Sequence, residues 1–210
     1  MKKFFITGTG TNIGKTYVTR SLLRQYSKNY QVIGAKPIAA GLNESGLNDD
    51  ITELIKSQNM NLSYKQLNLY QFKQPVSPHI GFKESGQCFD ANKFIKYANE
   101  LYRLNPDYIF FEGAGGILSP VDENVNNLDL ILMLDIPVLM VVGLKLGCIN
   151  DALLLSNMLK SSKVKVSGWV ATQVDPNMIA LDENIEYLKK NMDSNFLGLY
   201  KFNANLNLDL

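Results

Sequence analysis

A lysine and a threonine close a glycine-rich run near the start of the chain, Gly8-Thr9-Gly10-Thr11-Asn12-Ile13-Gly14-Lys15-Thr16. These residue types suit a loop wrapped around nucleotide phosphates. Gly8, Gly10 and Gly14 let backbone N–H groups curl around an anion. The loop delivers that anion to the start of the next helix, where free N–H groups favour negative charge. Lys15 then reaches the β- and γ-phosphates, and the Thr16 hydroxyl serves Mg²⁺. The match to G-x-x-x-x-G-K-[ST] is imperfect: Thr9 stands where the first glycine belongs, and the glycine lies one residue earlier, at Gly8. The alternative is a Gly/Thr turn with a solvated lysine. The order of apolar run, loop and helix-compatible segment favours the phosphate loop.

Three more groups of residues are equipped for chemistry. Gly34-Ala35-Lys36-Pro37 ends an apolar run in a lysine, and Pro37 restricts Lys36 to extended geometry. Lys36 is then either a held cation or a solvated loop residue. Asp49-Asp50 precedes a helical pattern. One acid caps the helix, and the other is free to serve a Mg²⁺-nucleotide, whose metal is usually held by one or two carboxylates. Tyr108-Ile109-Phe110-Phe111-Glu112-Gly113-Ala114-Gly115-Gly116 places an acid at a strand end before a glycine turn. That is the layout of a second metal-side carboxylate in phosphate-loop enzymes; the plainer reading is an acid marking the strand end. Val141 to Asn150 also runs from a buried strand through Gly143 and Gly147 into a helix start suited to a carboxylate or phosphate. Cys148 there reads as a small packing residue, with no histidine nearby to make it a nucleophile.

Parallel β-α units must position these groups. The strand candidates are continuously apolar: 4–7, 31–35, 108–111, 137–142, 166–171 and 196–200. Such runs suit strands covered on both faces. Helical segments lie between them at 15–26, 50–57, 92–104, 127–134, 150–159 and 182–190. The expected fold is α/β and P-loop NTPase-like: a mostly parallel central sheet with helices on both faces. Ligands of such sheets sit at the carboxyl ends of strands, where every group above begins. The stretches 39–48 and 73–90 are expected to be loops on the substrate side, and 203–210 a disordered tail.

Composition narrows the class. The chain of 210 residues is expected to form one domain over 1–210 with a sizeable core. Lysine and arginine number 21 against 20 acids, a net charge of +1, so no nucleic-acid partner is expected. Two cysteines make no disulfide framework or zinc site, and a reduced cytoplasmic setting is expected. The single histidine, His79, follows Pro78 in a loop-like segment and reads as surface or structural. The longest apolar stretch, 130–142, is interrupted by Asp135 and Pro137 and is too short to span a bilayer. The lysines before the first apolar run do not make a signal peptide, so no membrane association is expected.

Taken together, the motifs resemble the dethiobiotin synthetase family over nearly the whole chain. They are Thr7 to Thr16, Lys36-Pro37-Ile38-Ala39-Ala40-Gly41, Ser77-Pro78-His79-Ile80, Glu112 to Gly116, Val142 to Asn150, and Gly168-Trp169-Val170-Ala171. The extra residue in the phosphate loop is a mark of that family. The resemblance implies a Mg²⁺-dependent, homodimeric ligase of biotin synthesis. Its substrates are ATP, CO₂ or bicarbonate, and 7,8-diaminopelargonic acid. One amine of the diamine takes up CO₂, ATP phosphorylates the carbamate to a mixed anhydride, and the second amine closes a cyclic urea.

The resemblance also implies roles. Lys36 and Lys15 are the catalytic cations. ATP meets Asn12, Ile13, Gly14, Lys15, Thr16, Tyr17, Asp50, Glu112, Gly113, Ala114, Gly115, Thr172 and Gln173, and the metal meets Thr16, Asp50 and Glu112. The substrate meets Thr11, Lys36, Ala40 and, through backbone N–H groups across the dimer, Gly147 and Cys148. The chain departs from the family at Ala40, often Ser or Thr, and at Asn12, often an acid. Thr172-Gln173 replaces an Asn-Asp pair at the base, and Lys201-Phe202 a Pro-aromatic pair, which opens the question of base selection. The rival reading is an ATPase switch of the partitioning or site-selection type. That family carries a lysine five residues before the loop lysine, where this chain has Gly10. A corrin-type amidotransferase ligase needs a further glutaminase domain. A dead nucleotide-binding module would lack Lys15, Lys36 or Glu112.

Overall fold

A computed structural model describes residues 1–201, 208 and 210. In chain order the elements are β1 (Lys2–Gly8), α1 (Lys15–Tyr26), β2 (Val32–Ala35), β3 (Ile38–Ala40), α2 (Asp49–Ser57), α3 (Tyr64–Leu67), β4 (Tyr70–Phe72) and α4 (Pro78–Ser85). Then follow α5 (Ala91–Arg103), β5 (Tyr108–Glu112), α6 (Asn127–Leu134), β6 (Val138–Leu144), α7 (Cys148–Ser161), β7 (Val166–Gln173), α8 (Leu181–Asn191) and β8 (Phe196–Tyr200).

Six strands form one sheet in the order β2-β5-β1-β6-β7-β8, with every pairing parallel. The apolar runs cause this. A strand of β1's composition has no polar face to give to water, so both faces need helices. Phe4 and Ile6 point into a core with Val18, Leu22 and Leu23 of α1. Phe5, one residue out of phase, joins the opposite core with Phe94 and Leu101 of α5, Ile131 of α6, Leu155 of α7 and Leu188 of α8. Each such side chain stabilises the fold by about 1.5–3 kcal/mol when fully buried. The α6 start is fixed by Asn126, whose side chain accepts from Leu128 and Asp129 N–H groups, while Asp129 bonds back to the Asn126 N–H.

Phe5 pairs with Phe111 on one side and Val138 on the other, so β1 is central. The carboxyl ends of β1, β2 and β5 therefore open on one edge of the sheet, where Lys15, Lys36 and Glu112 lie.

The expected strands and helices are all present, with no end displaced by more than two residues. Four short elements differ from the sequence reading. β3 and β4 form a second, parallel two-stranded sheet, α3 spans one turn, and α4 lies inside the expected loop 73–90. β3, α3 and β4, of three or four residues, are too short to display a period, and α4 has eight residues with only Pro78, Gly81 and Phe82 buried, which leaves no clear apolar stripe. His79 accordingly sits in the first turn of α4 rather than in a loop.

The stretch 39–48 is tied down: Ala39 and Ala40 belong to β3, and the Asn48 side-chain amide donates to the Ala40 and Gly41 carbonyls. Of the expected disordered tail, 203–207 and 209 lie outside the described residues. Leu208 is buried, and its carbonyl accepts from Gln25 Nε2 at 2.6 Å and the Tyr26 hydroxyl at 2.8 Å.

Candidate active site

The loop after β1 is shaped by close approach and by two left-handed residues. A Cβ on Gly8 would stand 2.5 Å from both Ile13 Cδ1 and the Val141 carbonyl oxygen, so only glycine fits. Asn12 has φ 57° and Gly14 has φ 88°. Asn tolerates this region through its short polar side chain, and Gly carries no Cβ penalty. Gly10, expected to help curl the loop, has an ordinary φ and open space around it, so the curl falls to Asn12 instead. The Thr172 hydroxyl at the end of β7 donates to the Ile13 carbonyl at 2.5 Å and anchors the loop to the sheet.

Lys15 opens α1, and its ammonium folds back to donate to the Gly10 carbonyl at 2.5 Å. Burial pulls its pKa down to about 8, with Lys36 acting in the same direction and Glu112 and Asp50 opposing. The loop thus holds a cation poised to gain from an anionic ligand.

Three elements bring the next groups together. Lys36 follows β2, Asp50 lies in the first turn of α2, and Glu112 ends β5. Lys36 Nζ donates to Glu112 Oε1 at 2.7 Å and to Asp50 Oδ2. Thr16 Oγ1 also donates to Glu112 Oε1, at 2.8 Å. Burial opposes a charge on Lys36, but the two carboxylates outweigh it and hold its pKa above the ordinary value. The same contacts hold Asp50 below the usual carboxylate range despite its burial. Of the adjacent acids, Asp50 is the one that faces the site, while Asp49 accepts from Asn43 Nδ2 at 2.7 Å. Lys36 is therefore a held cation, not a solvated one.

Glu112 Oε2 is buried and has no hydrogen-bond partner among the described residues. An orphaned carboxylate oxygen beside a hydroxyl and a second carboxylate is the oxygen-only donor set of a hard divalent cation. Thr16, Asp50 and Glu112 thus fit Mg²⁺.

Cavities surround this cluster. One of about 320 Å³ is lined by Thr11, Asn12, Gly14 to Thr16, Lys36, Asp50, Glu112, Gly113 and Gly115. A second of about 420 Å³ shares Thr11, Asn12, Lys36, Asp50 and Gly115, and adds Ala40, Pro75 to Pro78, Ala114 and Ser119. A third of about 420 Å³ lies on the other side of the loop, against Asn12 to Gly14, Tyr17, Arg20, Thr172, Gln173, Tyr200 and Lys201. The three meet at Asn12 and suit a long ligand pair whose reacting ends meet beside Lys15 and Lys36. Gly115 takes φ 78° in the turn between them, and Asn127 Nδ2 pins that turn by donating to the Ala114 carbonyl at 2.6 Å and the Gly116 carbonyl at 2.8 Å.

Gly147 and Cys148 are not brought to these cavities. They open α7 at the end of β6, Cys148 is buried, and its N–H already donates to the Lys145 carbonyl at 3.0 Å. Lys201 lines the third cavity, whereas Phe202 lies outside the described residues. Sequence reading missed Arg20, Tyr200, Ser119 and Asn127. They are chosen by the packing of distant segments, and no spacing announces them. Ser77, whose residue type and spacing assign it no chemistry, lines the second cavity.

A parallel sheet with a phosphate loop after its central strand, a lysine in that loop and carboxylates beside it define a P-loop nucleotide-binding protein. A family model described as an AAA domain (AAA_26) matches residues 2–207. The ATP-dependent dethiobiotin synthetase BioD of Legionella pneumophila (strain Paris) is 40% identical over 192 residues, covering 90% of this chain and 88% of its own. The enzyme of the same name from Nitrosospira multiformis is 35% identical over 205 residues, covering 97% and 90%. The chain belongs to the dethiobiotin synthetase family. Among solved structures, the MinD cell division protein of Aquifex aeolicus superposes with a TM-score of 0.56 at 14% identity, covering 95% of this chain and 81% of that one. A ParA family ATPase from Chlorobium tepidum gives 0.55 at 13%, covering 94% and 84%. These last two likenesses are of fold alone.

Proposed function

We propose that the chain is a single-domain ligase that makes dethiobiotin from 7,8-diaminopelargonic acid, CO₂ and ATP. The carrying observation is the Lys36–Glu112–Asp50–Thr16 cluster beside the Lys15 loop, in a chain of this family. ATP places its base in the third cavity and extends across the phosphate loop, and the diamine occupies the cavity lined by Thr11, Ala40 and Ser119.

The order of steps follows from charge. One amine adds to CO₂, losing a proton and forming a carbamate. A carbamate oxygen attacks the γ-phosphorus, and ADP leaves. The second amine then attacks the carbamate carbon, phosphate leaves, and the ring closes. Two anions, carbamate and triphosphate, must approach each other in the second step. A fixed cation between them lowers their repulsion, and Lys36, held protonated by its carboxylates, supplies it. Lys15 lies on the phosphate side, where charge builds as the phosphoryl group moves. Mg²⁺ held by Thr16, Asp50 and Glu112 would neutralise β- and γ-phosphate oxygens. With their charge met in this way, Asp50 and Glu112 would no longer need Lys36 as counter-ion, which leaves its ammonium free for the carbamate.

Homodimerisation agrees with the surface. Leu132 of α6 and Leu154 of α7 are exposed, as are Leu118 and Leu146, the last at 96%. A partner docked on these side chains would bring its Gly147-Cys148 segment to cavities that this chain's own copy does not line. The expected setting is the cytoplasm; among the described residues no helix is long and apolar enough to cross a membrane.

The test is phosphate release from ATP with Mg²⁺ and bicarbonate, with and without the diamine. Release that depends on the diamine, with a cyclic urea as product, supports the reading. Hydrolysis indifferent to the diamine supports the switch-type alternative.

A further inference from the structure

The first turn of α4 carries a hydroxyl diverted from its usual task. Ser77 is the N-cap of α4, with φ −61° and ψ 141°, a position where a serine side chain normally accepts from the second or third helical N–H. It makes no such bond. Its carbonyl serves the helix instead, accepting from the Ile80 N–H at 2.9 Å. Its Oγ lies 3.0 Å from Nδ1 of His79. The hydroxyl therefore forgoes a cap in order to be held by an imidazole.

That placement is rigid. The Gly41 N–H donates to the Gln74 carbonyl and the Leu42 N–H to the Lys73 carbonyl, both at 3.0 Å, so the segment before Ser77 is zipped to the strand bearing Ala40. Gly81 packs α4 onto β4 so closely that a Cβ would stand 2.3 Å from the Phe72 ring. Ser77 lines the second cavity together with Lys36, Ala40, Thr11 and Ser119. Ala40 brings no hydroxyl, Asp50 is engaged by Lys36, and Ser119 Oγ already accepts from the Gly116 N–H at 2.8 Å. The diamine carries two amines, so the Thr11 hydroxyl on the loop side leaves a second acceptor to be found, and Lys36 and Lys15 supply only donors.

We propose that Ser77 is a substrate-binding residue whose oxygen accepts from an amine N–H of the diamine, with His79 as its positioning residue. With Nδ1 as acceptor, the Ser77 O–H donates to the ring, and the remaining lone pairs of Oγ are free for the amine. The inference rests on the diamine reading of this cavity. The residue pair also explains how Ala40 is tolerated, since the missing hydroxyl is supplied from across the cavity.

The test is steady-state kinetics of diamine-dependent phosphate release by the full chain. Ser77→Ala is expected to raise KM for the diamine about 3- to 10-fold, the scale of one lost hydrogen bond, with KM for ATP unchanged. Because Ser77 makes no cap bond, thermal unfolding should not move. His79→Leu should raise the same KM, His79→Asn should recover much of it by offering an acceptor near the Nδ1 position, and Ser77→Ala/His79→Leu should be no worse than Ser77→Ala. An unchanged diamine KM in Ser77→Ala, beside a wild type that turns over with diamine, would overturn the proposal and leave the functional reading standing. Additive effects in the double variant would remove His79 from its positioning role. A wild type without diamine-dependent release would remove both the functional reading and this inference.

Discussion

Lys36 and Glu112 form a buried pair in which one carboxylate oxygen carries all the bonding. Glu112 Oε1 accepts from Lys36 at 2.7 Å and from Thr16 at 2.8 Å, while Oε2 has no hydrogen-bond partner among the described residues. Removing one member of a buried pair leaves an uncompensated charge and costs about 3–5 kcal/mol. Lys36→Ala is therefore expected to lose stability as well as activity. Turnover should fall by at least about 10²-fold, the scale of one lost preorganised charge stabiliser. Adding Glu112→Gln should restore much of the stability and none of the turnover. Chemical denaturation and diamine-dependent phosphate release, run on the single and double variants, check this. Near-normal turnover of Lys36→Ala would remove Lys36 from the mechanism.

The asymmetry at Glu112 also bears on the metal. A neutral amide keeps an oxygen for Thr16 or Lys36 but not two anionic donors. Glu112→Gln should therefore need about 10-fold or more Mg²⁺ for half-maximal nucleotide binding, the scale seen when a metal site loses a supporting group. Calorimetric titration of ATP at several Mg²⁺ concentrations reads this without turnover. Chelation of divalent cations should weaken wild-type ATP binding and stop phosphate release. Equal Mg²⁺ dependence in wild type and variant would exclude Glu112 as a ligand.

The frame of this site is legible in the sequence because its parts are local. Gly14-Lys15-Thr16, Lys36 and Glu112 each end an apolar run, and parallel strands deliver such ends to one edge. The choice between Asp49 and Asp50 was not local. It depends on the phase of α2 against β2, which places Asp50 on Lys36 and turns Asp49 to Asn43. Gly10 is the opposite case: glycine permits unusual geometry without requiring it, and the left-handed turns lie at Asn12 and Gly14. Ser77 and Ser119 enter the site through the second small sheet and a pinned turn, whose short elements leave no pattern to read.

Two tyrosines give the fold an alkaline limit. Burial lifts the Tyr102 hydroxyl to about 12 and Tyr97 in the same direction, and neither hydroxyl has a hydrogen-bond partner among the described residues. Unfolded tyrosine titrates near 10. The unfolded chain therefore loses these protons first, and the stability they contribute is complete below about pH 10 and lost as pH rises toward 12. Tyr102→Phe keeps the ring and removes the titration. It should be as stable as wild type near neutrality, because only an unpaired polar atom is gone, and should lose less stability above about pH 10. Thermal unfolding of both proteins across that range tests the point, and equal alkaline losses would sink it.

On the proposed placement of ATP, Thr172 lines the base end of the site but does not read the base. Its hydroxyl is donated to the Ile13 carbonyl at 2.5 Å and is therefore spent on holding the phosphate loop. The same cavity is lined by Gln173, whose amide is both donor and acceptor, by Lys201, by Tyr17 and by Arg20, which pairs with Glu53 at 3.2 Å. An amide that can turn either edge toward a ligand reads adenine, guanine and cytosine alike. A site rejects an analogue strongly only when that analogue leaves a buried polar group unpaired, and Gln173 is half-buried, its amide donating to the Pro176 carbonyl at 3.4 Å. ATP, GTP and CTP are therefore expected to support ring closure with kcat/KM within about tenfold of one another. Turnover of the three nucleotides on one enzyme sample measures this directly, and a strict ATP preference would refute it. Thr172→Val separates the two roles. Losing the anchor should weaken all three nucleotides together, because the loop and not the base contact has changed, whereas a change in the ratio between nucleotides would return Thr172 to base recognition.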